Sequence, residues 1–280
     1  MSDTDVVLSA RELAKLYRRG VRALAGIDLD IPAGGITALV GPNAAGKSTL
    51  LKTWVGFERP SRGSVRVAGI DPWKDRSAAL AHLGYVPQSP VLYDGLTVED
   101  HLDLARQLRP GFDRDYARAR LAQLDIPADR GGRDLSGGQQ AQVALALALG
   151  TRAPILLLDE PLASLDPLAR REFLQVLTDA VRGDGTTALL SSHIVTDVEQ
   201  ACDRLVVLGV GRVLLHDSVA TALADHGIVT GRSDSAVSTF PGPDGAPISL
   251  VRGPGERPAT LDEVVLGYLA SGRLTPAAAA

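Results

Sequence analysis

No other segment restricts the fold of this chain as strongly as Gly41-Pro42-Asn43-Ala44-Ala45-Gly46-Lys47-Ser48, which fits the spacing G-x-x-x-x-G-K-[ST]. Ile36-Thr37-Ala38-Leu39-Val40 precedes it, apolar and β-prone as a buried parallel strand should be. A helix-like run from Lys47 to about Val55 follows. Strand, glycine-rich turn and helix in that order expose backbone N–H groups of the loop and helix N-terminus to an anion. Lys47 then reaches the β- and γ-phosphates of a nucleotide as a point charge, and the Ser48 hydroxyl is placed to ligate Mg2+.

Ile155-Leu156-Leu157-Leu158-Asp159-Glu160 sets two carboxylates at the carboxyl end of an apolar run, the edge of an open α/β sheet where ligands bind. Asp159 suits Mg2+, directly or through water, and Glu160 suits an attacking water as proton acceptor or orienting group. Alone, the pair is also an ordinary solvated strand ending. Beside a lysine loop it supplies the second half of a magnesium–nucleotide site. His193 closes the run 187–192 and has two readings, a γ-phosphate contact or a polar helix-entry residue. Leu135-Ser136-Gly137-Gly138-Gln139 opens a helix, either offering N–H groups to an anion or serving as a plain cap. Asp166-Pro167 is a helix start with Asp166 as N-cap. The single cysteine, Cys202, rules out an internal disulfide framework and a cysteine-based zinc site; a buried, inert thiol is its default role.

The order of elements points to α/β. Strands are expected at 6–8, 26–31, 36–40 and 64–67. From about 89 to 152 the pattern turns helical, beginning with Thr97 and Asp100 as a variant capping box. Strand and helix then alternate through 155–158, 167–181, 187–191, 194–202, 205–208 and 213–215, which implies a mainly parallel sheet covered on both faces. Past residue 227 the composition shifts. Residues 233–255, rich in Gly, Pro, Ser and Asp, are expected to be loop or weakly ordered. Thr260-Leu261-Asp262-Glu263 is a capping box opening a short helix through Ala270, and 277–280 is expected to fray. The expected division is 1–227 and 228–280.

Twenty-nine basic residues against 33 acidic ones give a net charge of −4 without a basic block, so nucleic acid is not an expected partner. The longest apolar runs fall far short of the ~20 residues of a membrane-spanning helix. Residues 1–5 are acidic and no signal-type apolar block follows, so the expected location is the cytosol.

Together these residues resemble the ATP-binding subunit of an ABC transporter, over about residues 6–227 and with every family motif in family order. By that resemblance, Tyr17 is the aromatic that stacks on adenine and Gly41 through Thr49 are the Walker A loop. Gln88 is the Q-loop glutamine, sensing the γ-phosphate or Mg2+. Leu135 through Gln139 are the signature sequence, and Asp159 and Glu160 end the Walker B strand. Ser164-Leu165-Asp166 is the D-loop and His193 the switch histidine. The resemblance implies a P-loop NTPase core with an antiparallel β subdomain and an inserted helical subdomain, using ATP and Mg2+. It implies two copies packed head to tail, each ATP held between the Walker A loop of one and Ser136-Gly137-Gly138 of the other, with hydrolysis at Glu160. It also implies a separate membrane permease on the inner face of the membrane, docked beside residues 89–97. Val91, Leu92, Tyr93 and Leu96 are candidate anchors there, or else subdomain core. Two departures stand out. Ala44 occupies a position where the family usually has glycine, and Gln140-Ala141-Gln142 follows the signature where basic residues are usual. The tail around 262–269 resembles ATPase subunits of bacterial drug and antibiotic exporters. An importer ATPase and an iron–sulfur-type assembly ATPase are the alternatives.

Overall fold

The computed structural model describes residues 6–89 and 92–274. Strands β1 (Val6–Leu16) and β2 (Arg22–Pro32) pair antiparallel, and β3 (Ile36–Val40) enters the centre of the molecule, followed by α1 (Lys47–Trp54). Next come β4 (Arg62–Val67), α2 (Arg76–Ala81) and β5 (Leu83–Val86). Three helices form the insertion: α3 (Val98–Leu108), α4 (Arg114–Gln123) and α5 (Gly137–Gly150). The chain returns through β6 (Ile155–Leu158), α6 (Pro167–Asp184), β7 (Thr187–Ser192), α7 (Val195–Ala201), β8 (Arg204–Gly209) and β9 (Arg212–Ser218). It continues with α8 (Val219–Ala224), β10 (His226–Thr230), β11 (Ala236–Pro241), β12 (Pro247–Arg252), β13 (Arg257–Pro258) and α9 (Leu261–Leu274).

The central sheet has the order β5-β6-β7-β3-β8-β9, parallel except for β9. Alternate side chains of its strands point to opposite faces. Leu39, Leu157, Leu189 and Val206 pack one face onto α1 and the three-stranded antiparallel sheet β2-β1-β4. Leu156, Leu158 and Leu190 pack the other onto α5 and α6, against Leu145, Phe173 and Leu177. The insertion has its own core of Val98, Leu102, Phe112, Leu121, Leu135 and Val143. Its entry is the expected capping box: Thr97 Oγ1 accepts from Asp100 N–H, and Asp100 Oδ2 accepts from Thr97 N–H.

One expectation is corrected and another is decided between its alternatives. Residues 233–255 are not loop: β11 and β12 form a hairpin within the antiparallel sheet β11-β12-β10-β13. The Gly, Pro and Asp that suggested disorder build its turn, where Gly242 N–H donates to Ala246 O at 2.7 Å and Ala246 N–H to Asp244 Oδ1 at 3.0 Å. Through α9 this sheet covers the remaining part of the central sheet, with Leu250, Leu261, Val264 and Tyr268 against Val40, Leu205 and Val207. Residue 228, where the extension was expected to begin, lies inside β10. The second finding separates the two readings left open for residues 91–96. Leu92 is buried in the insertion's core and Leu96 is half-buried, because the turn before α3 folds inward. Tyr93 is 63% exposed, and Val91 lies outside the described residues, as do 277–280.

Candidate functional site

Strand order brings the three chemical segments together. β7 lies between β3 and β6, in register Val40↔Ser192 and Leu158↔Leu190. The carboxyl ends of three adjacent parallel strands therefore present the lysine loop, His193 and the Asp159–Glu160 pair along one edge.

The loop after β3 is pressed onto neighbouring backbone. A Cβ at Gly41 would lie 2.2 Å from Leu208 O, and one at Gly46, whose φ is +106°, would lie 2.4 Å from Ala23 O. Only glycine fits at either position. Lys47 is 4% exposed, and its ammonium donates to Gly41 O at 2.6 Å and Pro42 O at 3.2 Å. It also pairs with Glu160 Oε1 at 2.9 Å. Ser48 Oγ donates to Asp159 Oδ1 at 2.8 Å.

Glu160 sits at φ +45°, a left-handed backbone rare for a non-glycine residue and therefore a place where strain is held by its surroundings. Its N–H donates to Ser191 Oγ at 2.8 Å, and Ser191 in turn donates to Asp159 Oδ1 at 3.2 Å. His193 Nδ1 lies 3.1 Å from Glu160 Oε2. Burial pushes the Glu160 carboxyl up, but Lys47 and His193 outweigh it and hold it below the usual carboxylate range. Asp159 moves the other way: burial raises it, and the hydrogen bonds from Ser48 and Ser191 only partly compensate. One hydroxyl and one carboxylate oxygen are hard donors that suit Mg2+, a cation commonly held by few protein ligands and the substrate's phosphates. Among the described residues no cluster of three or more His, Cys, Asp or Glu side chains could hold a metal by itself.

The other predicted residues divide. Tyr17 OH lies 3.3 Å from Thr49 Oγ1, with Lys15 Nζ 4.9 Å from the ring centroid, so its ring borders the start of α1. Asn43 and Ala44 are exposed at the tip of the loop, while Ala45 is buried and hydrogen-bonded back to Pro42. Gln88 forms no hydrogen bond with Ser48 or Asp159; it lines a 340 Å³ cleft with Gly137, Gln140, Pro161 and Ser164. Ser136 and Gln139 cap α5 reciprocally, at 3.2 and 3.0 Å, and Asp166 caps α6 by accepting from Leu168 and Ala169. No hydrogen bond joins Ser136, Gly138 or Asp166 to the lysine loop of the same chain. Sequence reasoning missed Ser191, which ties the two carboxylate residues together; the available signal was a Ser-Ser-His ending on an otherwise apolar strand.

Ala44 has φ +65°, so the family's usual glycine marks a real backbone demand. Its side chain is exposed, so Ala44→Gly changes little besides the backbone. Relief of the left-handed conformation, ~1 kcal/mol, is offset by greater unfolded-chain entropy of similar size. We expect an unchanged melting temperature within about 3 °C and equal or higher ATP turnover; a clear drop in turnover would show that alanine sits there without strain.

Fold and cluster define a P-loop nucleotide-binding ATPase. Residues 24–163 match the family described as ABC transporter. The chain is 40% identical over 190 residues to the probable multidrug ABC transporter ATP-binding protein YbhF of Escherichia coli, covering 66% of this chain and 33% of that protein. It therefore spans about a third of YbhF. It is 38% identical to the lipoprotein-releasing system ATP-binding protein LolD 1 of Rhodospirillum rubrum, covering 70% of this chain and 91% of that one. It is 33% identical to the methionine import ATP-binding protein MetN of Streptomyces avermitilis, covering 84% and 72%. Among solved structures it is similar to the dimeric bacterial ABC transporter cassette MJ0796, at TM-score 0.68 and 26% identity, over 76% of this chain and 98% of that one. MJ0796 is also known in a post-hydrolysis state bound to ADP and Pi. A further likeness is to cbiO1 of Clostridium perfringens, part of the ABC transporter complex cbiONQ, at TM-score 0.67 and 30% identity, over 76% and 89%. This chain belongs to the ABC transporter family, as an ATP-binding subunit that hydrolyses ATP.

Proposed function

We propose that the chain is the motor subunit of an exporter, turning ATP-driven pairing of two copies and hydrolysis into movement of a substrate through a separate membrane permease. The observation that carries this reading is the convergence of Lys47, Ser48, Asp159, Glu160 and His193 on one strand edge. Lys47 and the loop from Gly41 to Gly46 take the phosphates, and Tyr17 and Thr49 border the base. Ser48 and Asp159 hold Mg2+, with Gln88 approaching from its cleft; the ion, when bound, neutralises charge on the phosphates. Glu160 accepts the proton of the attacking water, and His193 faces the γ-phosphate. Ser136, Gly137, Gly138 and Gln139 of a second copy close over the triphosphate with Asp166 beside them, a helix N-terminus on each side of one polyanion.

Among the described residues no helix is long and apolar enough to cross a membrane. The permease site we assign is a 390 Å³ groove between the body and the insertion, lined by Val55, Phe57, Tyr85, Pro87 and Leu147 with Arg76 at its rim. Phe57 is 57% exposed there. The chain would then work in the cytoplasm on the inner face of the membrane. Export is favoured by the likeness to YbhF. The likeness to MetN, which covers 84% of this chain, favours import as the second reading. Phe57→Asp places a charge in the groove. Co-expressed with its permease, this variant should lose at least about tenfold in capture, ~1.4 kcal/mol, while the isolated chain keeps its ATP turnover within about twofold. Undiminished capture would overturn the assignment of the groove.

A further inference from the structure

The lysine loop leans on a hairpin remote from it in sequence. β8 and β9 pair in the register Leu208↔Val213 and Gly209↔Arg212, so two residues, Val210 and Gly211, make the turn between them. Both have positive φ, +49° and +71°, as a two-residue type I′ turn requires. Asn-Gly is the sequence such a turn favours. A β-branched valine, here 58% exposed, is a poor choice for its first position. What holds the turn is the surroundings of Gly211.

Gly211 N–H donates to Ala45 O at 3.1 Å, and Gly211 O accepts from the Ala25 N–H at 2.9 Å. A Cβ at Gly211 would lie 2.7 Å from Ala23 O and 3.1 Å from Leu24 Cα, both backbone atoms that cannot swing aside. Ala23 O is also the atom that a Cβ at Gly46 would strike, and Leu208 O, just before the turn, is the one that a Cβ at Gly41 would strike. Both ends of the loop therefore rest on this hairpin and the start of β2. The peptide between Ala45 and Gly46 is trans, so its C=O and its N–H point in opposite directions. Gly211 holds the carbonyl towards the hairpin, which turns the Gly46 N–H the other way. Gly46 is buried, yet among the described residues its N–H has no protein acceptor. Buried backbone N–H groups are rarely left unpaired, and at the mouth of a lysine loop the missing acceptor is an anion.

We infer that Gly211 is a positioning residue for nucleotide: by holding Ala45 O, it aims the Gly46 N–H at the bound phosphates. It acts through the loop, and the hydrogen bond it aims serves the bound substrate and the transition state alike. The inference rests on the reading of the loop after β3 as the phosphate site. It predicts a loss of ATP affinity with the hydrolytic step spared.

Gly211→Ala adds the Cβ that Ala23 O excludes, so the turn must back away and the bond to Ala45 O must lengthen. In the full chain, Kd for a fluorescent ATP analogue and KM for ATP should both rise at least about tenfold, the worth of one hydrogen bond to a charged group. At saturating ATP, kcat should stay within about twofold of wild type. Gly231→Ala is the matched control. Gly231 has φ +79°, and a Cβ there would meet no heavy atom within 4 Å beyond its chain neighbours. The same left-handed strain should lower the melting temperature of that variant and leave its Kd at the wild-type value. The inference is overturned by a Kd within about threefold of wild type in Gly211→Ala, by a fall in kcat without a rise in KM, or by an equal rise in Kd in Gly231→Ala. Should Gly211→Ala fail to fold, Gly211→Asn decides by the same criteria, because asparagine tolerates left-handed backbone and brings the same Cβ. A wild-type chain that does not bind ATP, or Lys47→Ala binding it as tightly as wild type, would instead defeat the reading of the loop itself.

Discussion

Glu160→Gln should cut ATP turnover by about three powers of ten, the range seen when a general base is removed, and leave a stable ATP-bound pair of chains. The substitution is nearly isosteric. The Glu160 backbone is held at φ +45° by the bond from its N–H to Ser191, which does not depend on the side chain. The amide can still reach His193 and the neighbourhood of Lys47, so the geometry survives. What disappears is the charge. Glu160 sits below the usual carboxylate range because Lys47 and His193 stabilise its ionised form, so at neutral pH the wild-type group is in the charged form that a proton acceptor needs. A neutral amide takes no proton from water. It also stops competing for the Lys47 ammonium, which is shared between Glu160 and the carbonyls of Gly41 and Pro42. ATP affinity should therefore hold or rise. Steady-state phosphate release measures the first effect, and size-exclusion chromatography with and without ATP the second. Turnover within threefold of wild type would remove Glu160 from the role of base.

How much of this was legible before any coordinates depends on the range of the interactions involved. β3 and β6 match their expected spans because short apolar runs buried on both faces leave no alternative pattern. The caps at Thr97, Ser136, Asp166 and Thr260 were legible because a cap is written in four consecutive residues. β1 and β2 were read too short. Each runs for 11 residues, with exposed charges interleaved that a paired strand tolerates and an isolated run does not suggest. The β11–β12 hairpin was missed because Gly242, Asp244 and Gly245 weighed as disorder. The flanking runs, with Ser238 and Phe240 buried on one strand and Ile248 and Leu250 on the other, carried a strand signal. In the site, residue types showed Lys47, Asp159 and Glu160. The contributions of Ser191 and Gly211 depend on strands remote in sequence, and no local pattern encodes them. Leu92 shows the limit from the other side. Its apolarity fitted a docking surface and a subdomain core equally, and only packing against the insertion's helices separates the two.

Lys47→Ala should weaken ATP binding by at least about a hundredfold. Lys47 is 4% exposed, and its ammonium converges with two loop carbonyls and Glu160 where a triphosphate would be held. Removing one partner of a buried charge pair costs ~3–5 kcal/mol, and the lower end corresponds to about two powers of ten in Kd. Two effects add. The phosphates lose the one cation the loop itself carries. Glu160, deprived of Lys47, keeps only His193 against the burial that pushes its carboxyl up, so it confronts the polyanion either as an unpaired charge or as a protonated group no longer able to act as base. The helix should survive, since alanine is its most favourable residue and Leu50, Leu51 and Trp54 still anchor α1 in the core. Titration with a fluorescent ATP analogue reads the affinity directly. Thermal unfolding gives an independent check: ATP should raise the melting temperature of the wild type and leave that of the variant unmoved. If Lys47→Ala bound ATP within threefold of wild type, the loop after β3 would not be the phosphate site, and the roles given to Ser48, Asp159, Glu160 and His193 would lose their common reference point.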